Sequence, residues 1–220
     1  MSTARPKPIL LGNAPKLWKP FTVICFQPPS YAKKCERKVP SGKIAQIPPP
    51  PLRVHARPGR PAQGLLSAAG TVFACALGRG GVTAFKREGD GGTPLGPLKV
   101  LWGYRRPGRG FPPPSRLPIL PAAPWLGWCD APGDRNYNRP VRLPYAASCE
   151  TMQRADRLYD VVLVLDWNMR PAIRGRGSAI FLHVARPGYT PTEGCIAVSP
   201  ATMRRLLPLL RAGSVVRVVR

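Results

Sequence analysis

The chain has 220 residues, 44% of them hydrophobic, enough for one domain with a real core plus a tail. Its 30 prolines, against an average share of about 5%, exclude an architecture of long uninterrupted helices and favour strands joined by loops. The 34 Lys and Arg against 10 Asp and Glu give a formal charge of +24, which attracts polyanions without choosing among them. No clustered Arg and aromatic motif of a single-stranded nucleic-acid binder accompanies that charge, so nucleic acid is not an expected partner.

Residues 1–62 hold 12 basic residues, 1 acidic residue and 13 prolines, including Pro48-Pro49-Pro50-Pro51. Their apolar residues follow neither helical nor strand periodicity, so the expectation is a disordered or polyproline-like tail over 1–62 and a folded domain over 63–220. The first residues carry scattered Lys and Pro and no apolar core of a signal peptide, and no run is long enough to span a membrane.

From about Gly64 short apolar runs alternate with Gly and Pro. Gly70 to Leu77 reads as a strand, Gly78 to Gly81 as a tight turn, Val82 to Lys86 as a returning strand and Leu98 to Tyr104 as another, with a Gly-rich loop at Glu88 to Gly96. That loop lacks the Gly-Lys-Ser/Thr of a phosphate cradle. Gly103 to Pro144 carries few strand signals and reads as a long functional loop or lid.

The β-branched run Asp160-Val-Val-Leu-Val-Leu-Asp166 is the best central strand, followed by Ser178 to Ala185. Alternation puts His183 on one face with Phe181 and Ala185, opposite Ile180, Leu182 and Val184. Ser199-Pro200 supplies an N-cap and a first-turn proline for a short helix that Pro208 should limit. Ser214 to Val219 reads as a final strand. The predicted class is mainly β, with one or two short helices.

Six cysteines, Cys25, Cys35, Cys75, Cys129, Cys149 and Cys195, form no CxxC pair, so a zinc module is not expected, and no cofactor is implied. Cys195 stands out because Gly194 precedes it and His183 lies twelve residues upstream. Only two histidines exist, and the other, His55, falls in the expected tail. A thiol attacks as thiolate, so a catalytic cysteine needs a base, and His183 is the available one. Gly194 lets a carbonyl approach and leaves the backbone N–H groups of Gly194 and Cys195 for an oxyanion hole. Spacing alone favours the plainer reading, a buried structural cysteine and a satisfied core histidine, over catalysis.

The stretch Gly177-Ser-Ala-Ile-Phe-Leu-His183 through Gly194-Cys195-Ile196 resembles the catalytic signature of the YkuD family of L,D-transpeptidases, in which a strand histidine precedes a Ser/Thr-His-Gly-Cys segment. Lys86 to Gly96 is similar to the family's Thr-Pro-x-Gly region, and Trp128-Cys129-Asp130 with Tyr137-Asn138 resembles a compact branch; the likeness spans about Leu65 to Val219. It implies a YkuD-like β-sandwich or open barrel with Cys195 as the acylated nucleophile and His183 as the base. The substrate it implies is the peptidoglycan stem peptide, and the working compartment the periplasm or cell envelope.

Glu193 replaces the motif's histidine, and Ala197 stands where many members carry arginine. Arg176, Arg186, Glu193, Tyr137 and Trp128 are the candidate substrate contacts, the last two as parts of a lid. The alternatives to transpeptidation are a carboxypeptidase or amidase that uses water as acceptor, and a non-catalytic basic binding module.

Overall fold

A computed structural model describes residues 51–110 and 115–220. The first half of the chain forms β1 (Leu52–Arg57), β2 (Arg60–Ala68), β3 (Thr71–Ala76), β4 (Val82–Thr83), β5 (Thr93–Pro94), β6 (Gly96–Arg105) and β7 (Ile119–Pro121). The second half adds β8 (Leu126–Cys129), β9 (Arg139–Arg142), β10 (Cys149–Thr151), β11 (Val161–Leu165), β12 (Phe181–Val184), β13 (Ile196–Val198), α1 (Pro200–Leu206) and β14 (Val215–Val219).

The main sheet runs β11-β12-β13-β3-β2-β1-β14-β6-β7, and β11 also pairs with β6. That extra pairing closes eight strands into a barrel, which removes the exposed edges an open sheet would leave. The protein is mainly β, with a single short α-helix among the described residues.

Strand alternation sends side chains into two separate cores. Val161, Leu163 and Leu165 of β11 join Leu182, Ile196, Val54, Leu66 and the α1 residues Met203 and Leu206 in the barrel interior. Their neighbours Val162 and Val164 join Phe181, Trp128, Met152, Tyr159 and Cys195 in a second core. The three-stranded sheet β10-β8-β9 supplies Trp128 to that second core. With cover on both faces, all five residues of β11 are buried, as the uninterrupted apolar run requires. Ser199 caps α1 by accepting from the Thr202 N–H at 3.0 Å, and Pro208 falls in a 3-10 turn that follows directly.

Three expectations change. Residues 52–62, assigned to the tail, form β1 and the start of β2, and β1 pairs with both β2 and β14. The proline at Pro51 and the Arg-Pro-Gly-Arg turn hid a hairpin whose inward residues Leu52 and Val54 are buried; residues 1–50 lie outside the described residues. Gly103 to Pro144 is not a single loop but carries β7, β8 and β9, strands of three or four residues too short to show periodicity. The returning strand expected at Val82 to Lys86 shrinks to the two-residue β4, paired in parallel with β5, because Asp90 turns the chain. Its carboxylate accepts from Lys86 Nζ at 2.5 Å, the Arg87 N–H at 2.7 Å and the Gly92 N–H at 2.8 Å.

Candidate active site

β12 and β13 run parallel, with Leu182 opposite Ile196 and His183 opposite Ala197. Alternate residues share a face, so Phe181 and His183 point to the same side as Cys195 and Ala197, away from the barrel interior. His183, Cys195 and Ala197 line one cavity of about 590 Å³. Its wall also includes Tyr159, Glu150, Arg154, Ala179 and Thr192.

His183 is buried, and its Nδ1 lies 2.9 Å from the Val184 carbonyl oxygen. A carbonyl can only accept, so Nδ1 carries the proton and Nε2 keeps its lone pair. The ring stands edge-on to Tyr159, with centroids 5.3 Å apart. Burial lowers the imidazole to about 4, and the charges of Arg154 and Arg186 push the same way against the Val184 hydrogen bond.

The Cys195 thiol donates to the Ala179 carbonyl at 3.1 Å, and its sulfur accepts the Phe181 N–H at 3.3 Å. Burial, with the Glu150 carboxylate adding, pushes the thiol up to about 12, against the Phe181 hydrogen bond and the Lys86 charge. Burial thus favours the uncharged form of both the thiol and the imidazole.

The turn that carries Cys195 is built by close backbone contacts. The Thr192 hydroxyl donates to the Cys195 carbonyl at 2.7 Å and accepts the Gly194 N–H at 3.2 Å. Gly194 has φ +133, and a Cβ there would lie 2.8 Å from the Gly92 carbonyl oxygen, so any side chain would expel the Gly-rich loop. That loop is pinned in turn to the segment after β3: Gly78 donates to Thr93 Oγ1 at 2.8 Å. The segment pairs with the Cys195 turn through Arg79 N–H to Thr192 carbonyl at 2.8 Å.

The other side of the site rests on Asn138, which is buried. Its Oδ1 accepts from Trp128 Nε1 and from the Ala179 N–H, both at 3.0 Å. Its Nδ2 donates to the Trp167 carbonyl at 3.0 Å and the Asn168 carbonyl at 2.8 Å. Ala179 is thereby held at φ 52, an unfavourable region for alanine, with its carbonyl on the thiol.

Of the sequence candidates, His183, Cys195, Gly194, Glu193 and Arg186 converge on the Cys195 turn and the cavity. Glu193 lines the wall and pairs with Arg79 at 2.8 Å; Arg186 lines it 3.9 Å from Asp156. Trp128, expected over the cleft, is instead fully buried against Phe181, ring centroids 5.1 Å apart. Tyr137 is buried too, its hydroxyl donating to Glu88. Trp128 packs beneath the site because its side of the Gly-Trp-Cys strand faces the second core, and Tyr137 lies on the turn before β9. Arg176 is exposed and outside the cavity wall.

Sequence reasoning missed Tyr159, Glu150 and Arg154, which lie in or before strands that carried no motif. Thr192 occupies the motif's Ser/Thr position and was legible there. No helix among the described residues is long and apolar enough to cross a membrane. No curated protein and no solved structure matches the chain. Residues 62–218 match the family model of the YkuD L,D-transpeptidase catalytic domain, running from β2 through β12 and β13 to β14. The chain belongs to the L,D-transpeptidase catalytic-domain family.

Proposed function

We propose that the protein is an L,D-transpeptidase of the cell envelope that cross-links peptidoglycan stem peptides through a thioester on Cys195. The family assignment gives the reaction class. The observation that carries the residue-level reading is the adjacency of β12 and β13, which sets His183 and Cys195 on one face and in one cavity.

In this reading His183 Nε2 takes the thiol proton as the sulfur attacks the stem-peptide carbonyl. The Gly194 N–H is already engaged by Thr192, so the Cys195 N–H is the first candidate donor to the oxyanion. Collapse breaks the peptide C–N bond, the proton on His183 passes to the departing amine, and a thioester remains. An acceptor amine then attacks the thioester and gives its proton to His183, and the sulfur leaves and is reprotonated as the new amide forms. Arg186, on the cavity wall, is the proposed contact for a stem carboxylate. In this reading both groups start uncharged, so proton transfer accompanies attack rather than preceding it.

Glu150 and Tyr159 act by positioning. The Tyr159 hydroxyl donates to Glu150 at 2.7 Å, and Arg154 approaches the same carboxylate oxygen at 3.2 Å. The ring so fixed is the one that abuts His183.

Intact-protein mass spectrometry during turnover of a tetrapeptide stem tests the covalent step. The expected result is an acyl adduct that maps to Cys195 and is absent from Cys195→Ala. Binding without an adduct, weakening steeply with salt and indifferent to Cys195, would instead identify a basic binding module.

A further inference from the structure

Two of the cysteines that the site does not use face each other. The β8–β10 register places Cys129 opposite Cys149 and Trp128 opposite Glu150. The Met152 N–H donates to the Leu126 carbonyl at 3.0 Å, and the Asp130 N–H to the Ser148 carbonyl at 3.2 Å. Hydrogen-bonded and non-hydrogen-bonded pairs alternate along an antiparallel ladder. Counting from either bond, Trp128 and Glu150 form a hydrogen-bonded pair, and Cys129 and Cys149 a non-hydrogen-bonded one.

At such a position the Cα atoms approach to about 4.5 Å and the side chains lie closest, inside the roughly 4.4–6.8 Å span a disulfide bridges. Trp128 and Glu150 project toward the second core and the cavity, so the two cysteines project to the opposite face. Both are free thiols; Cys129 is buried and Cys149 half-buried.

We infer that Cys129 and Cys149 form a cross-strand disulfide when the protein meets a small-molecule disulfide such as oxidised glutathione, clamping the sheet that carries Asp130 and Glu150 to the cavity wall. The more accessible Cys149 attacks the oxidant as thiolate, forming a mixed disulfide and releasing one glutathione thiol. Cys129 then loses its proton to solvent and attacks the Cys149 sulfur, releasing the second. Two protein thiols are oxidised to one disulfide, and one glutathione disulfide is reduced to two thiols. The bond would close the chain segment that contains β9 and fix β8 to β10. It makes no use of Cys195, so the inference stands or falls independently of the proposed reaction.

The test uses the full chain carrying Cys195→Ala, which keeps the cavity thiol out of the exchange. After incubation in oxidised glutathione, free thiols are alkylated and the protein is digested with trypsin without reduction. The expected product is one linked pair, the peptide containing Cys129 joined to that containing Cys149, about 2 Da lighter than the sum of its parts, with neither cysteine alkylated.

Reduction should then lower Tm by about 6–12 °C, the effect of removing a disulfide that closes a loop of this length. The added variant Cys149→Ser should show no redox-dependent Tm. Full alkylation of both cysteines, a persistent glutathione adduct on Cys149, or linkage of either to another cysteine would overturn the inference. A linked pair whose reduction leaves Tm unchanged would overturn the clamp.

Discussion

The side-chain oxygen of Asn138 accepts the backbone N–H of Ala179 at 3.0 Å, and so fixes the carbonyl that takes the Cys195 thiol at 3.1 Å. A residue on the turn before β9 thereby sets the position of the Cys195 thiol 57 positions later in the chain. The strain at Ala179 is held by that one amide group together with the packing of Trp128 on Phe181.

Asn138→Ala should therefore cost both stability and activity. It strips partners from Trp128 Nε1, the Ala179 N–H and two carbonyls. At about 1–3 kcal/mol for each buried group left unpaired, offset by local rearrangement, a loss of about 3 kcal/mol is expected. Thermal unfolding should show a Tm drop of about 6–12 °C. Cys195 acylation should fall even at temperatures where the variant is folded.

The thiol's elevation to about 12 and the imidazole's depression to about 4 predict a specific reactivity. Iodoacetamide should alkylate Cys195 in the free protein slowly at pH 7, with a rate that keeps rising with pH. An ion-paired thiolate would instead alkylate fast from about pH 5 and level off. If His183 is the base, as proposed, turnover of a stem peptide should fall only as the pH drops toward 4, where the imidazole gains a proton.

His183 also couples stability to pH. Its folded value near 4 lies below the ordinary 6.5, so the unfolded chain binds the proton first as pH falls. Its contribution is whole above about 6.5, declines between 6.5 and 4, and is constant below. The full loss is about 3 kcal/mol. Urea unfolding at pH 7 and pH 4.5 should show this decline in the wild type, and a smaller one in His183→Gln.

Glu193 and Arg79 form an ion pair with both side chains largely exposed, 77% and 57%. Exposed pairs contribute about 0–1 kcal/mol, so Glu193→Gln should leave Tm nearly unchanged. An effect of that variant on stem-peptide KM without one on Tm would assign Glu193 to substrate contact, since its side chain lines the cavity.

How much was legible in the sequence follows from where the signals were local. The run at Val161 to Leu165, the capped helix at Ser199-Pro200 and the alternation around His183 each reside within a few residues, and each folds as read. The hairpin at residues 52–62 was hidden because its strand-forming residues sit among Pro and Arg, and its stabilisation comes from pairing with β14, some 160 residues away. Trp128 and Tyr137 looked like a lid because their segment carries so few strand residues. What buries Trp128 is β8 folding over the outer face of β12, a contact no local pattern encodes. Tyr159, Glu150 and Arg154 reach the cavity by the same long-range assembly.

The most direct measurement of the central claim is turnover of a purified donor tetrapeptide with an acceptor stem carrying a free side-chain amine, followed by mass spectrometry. The wild type should yield cross-linked dimers, with Cys195→Ala and His183→Gln each reduced by at least about 100-fold. Dimers made equally well by Cys195→Ala would contradict the account. Release of the terminal residue by the wild type with no dimer would show that water, not an amine, resolves the thioester.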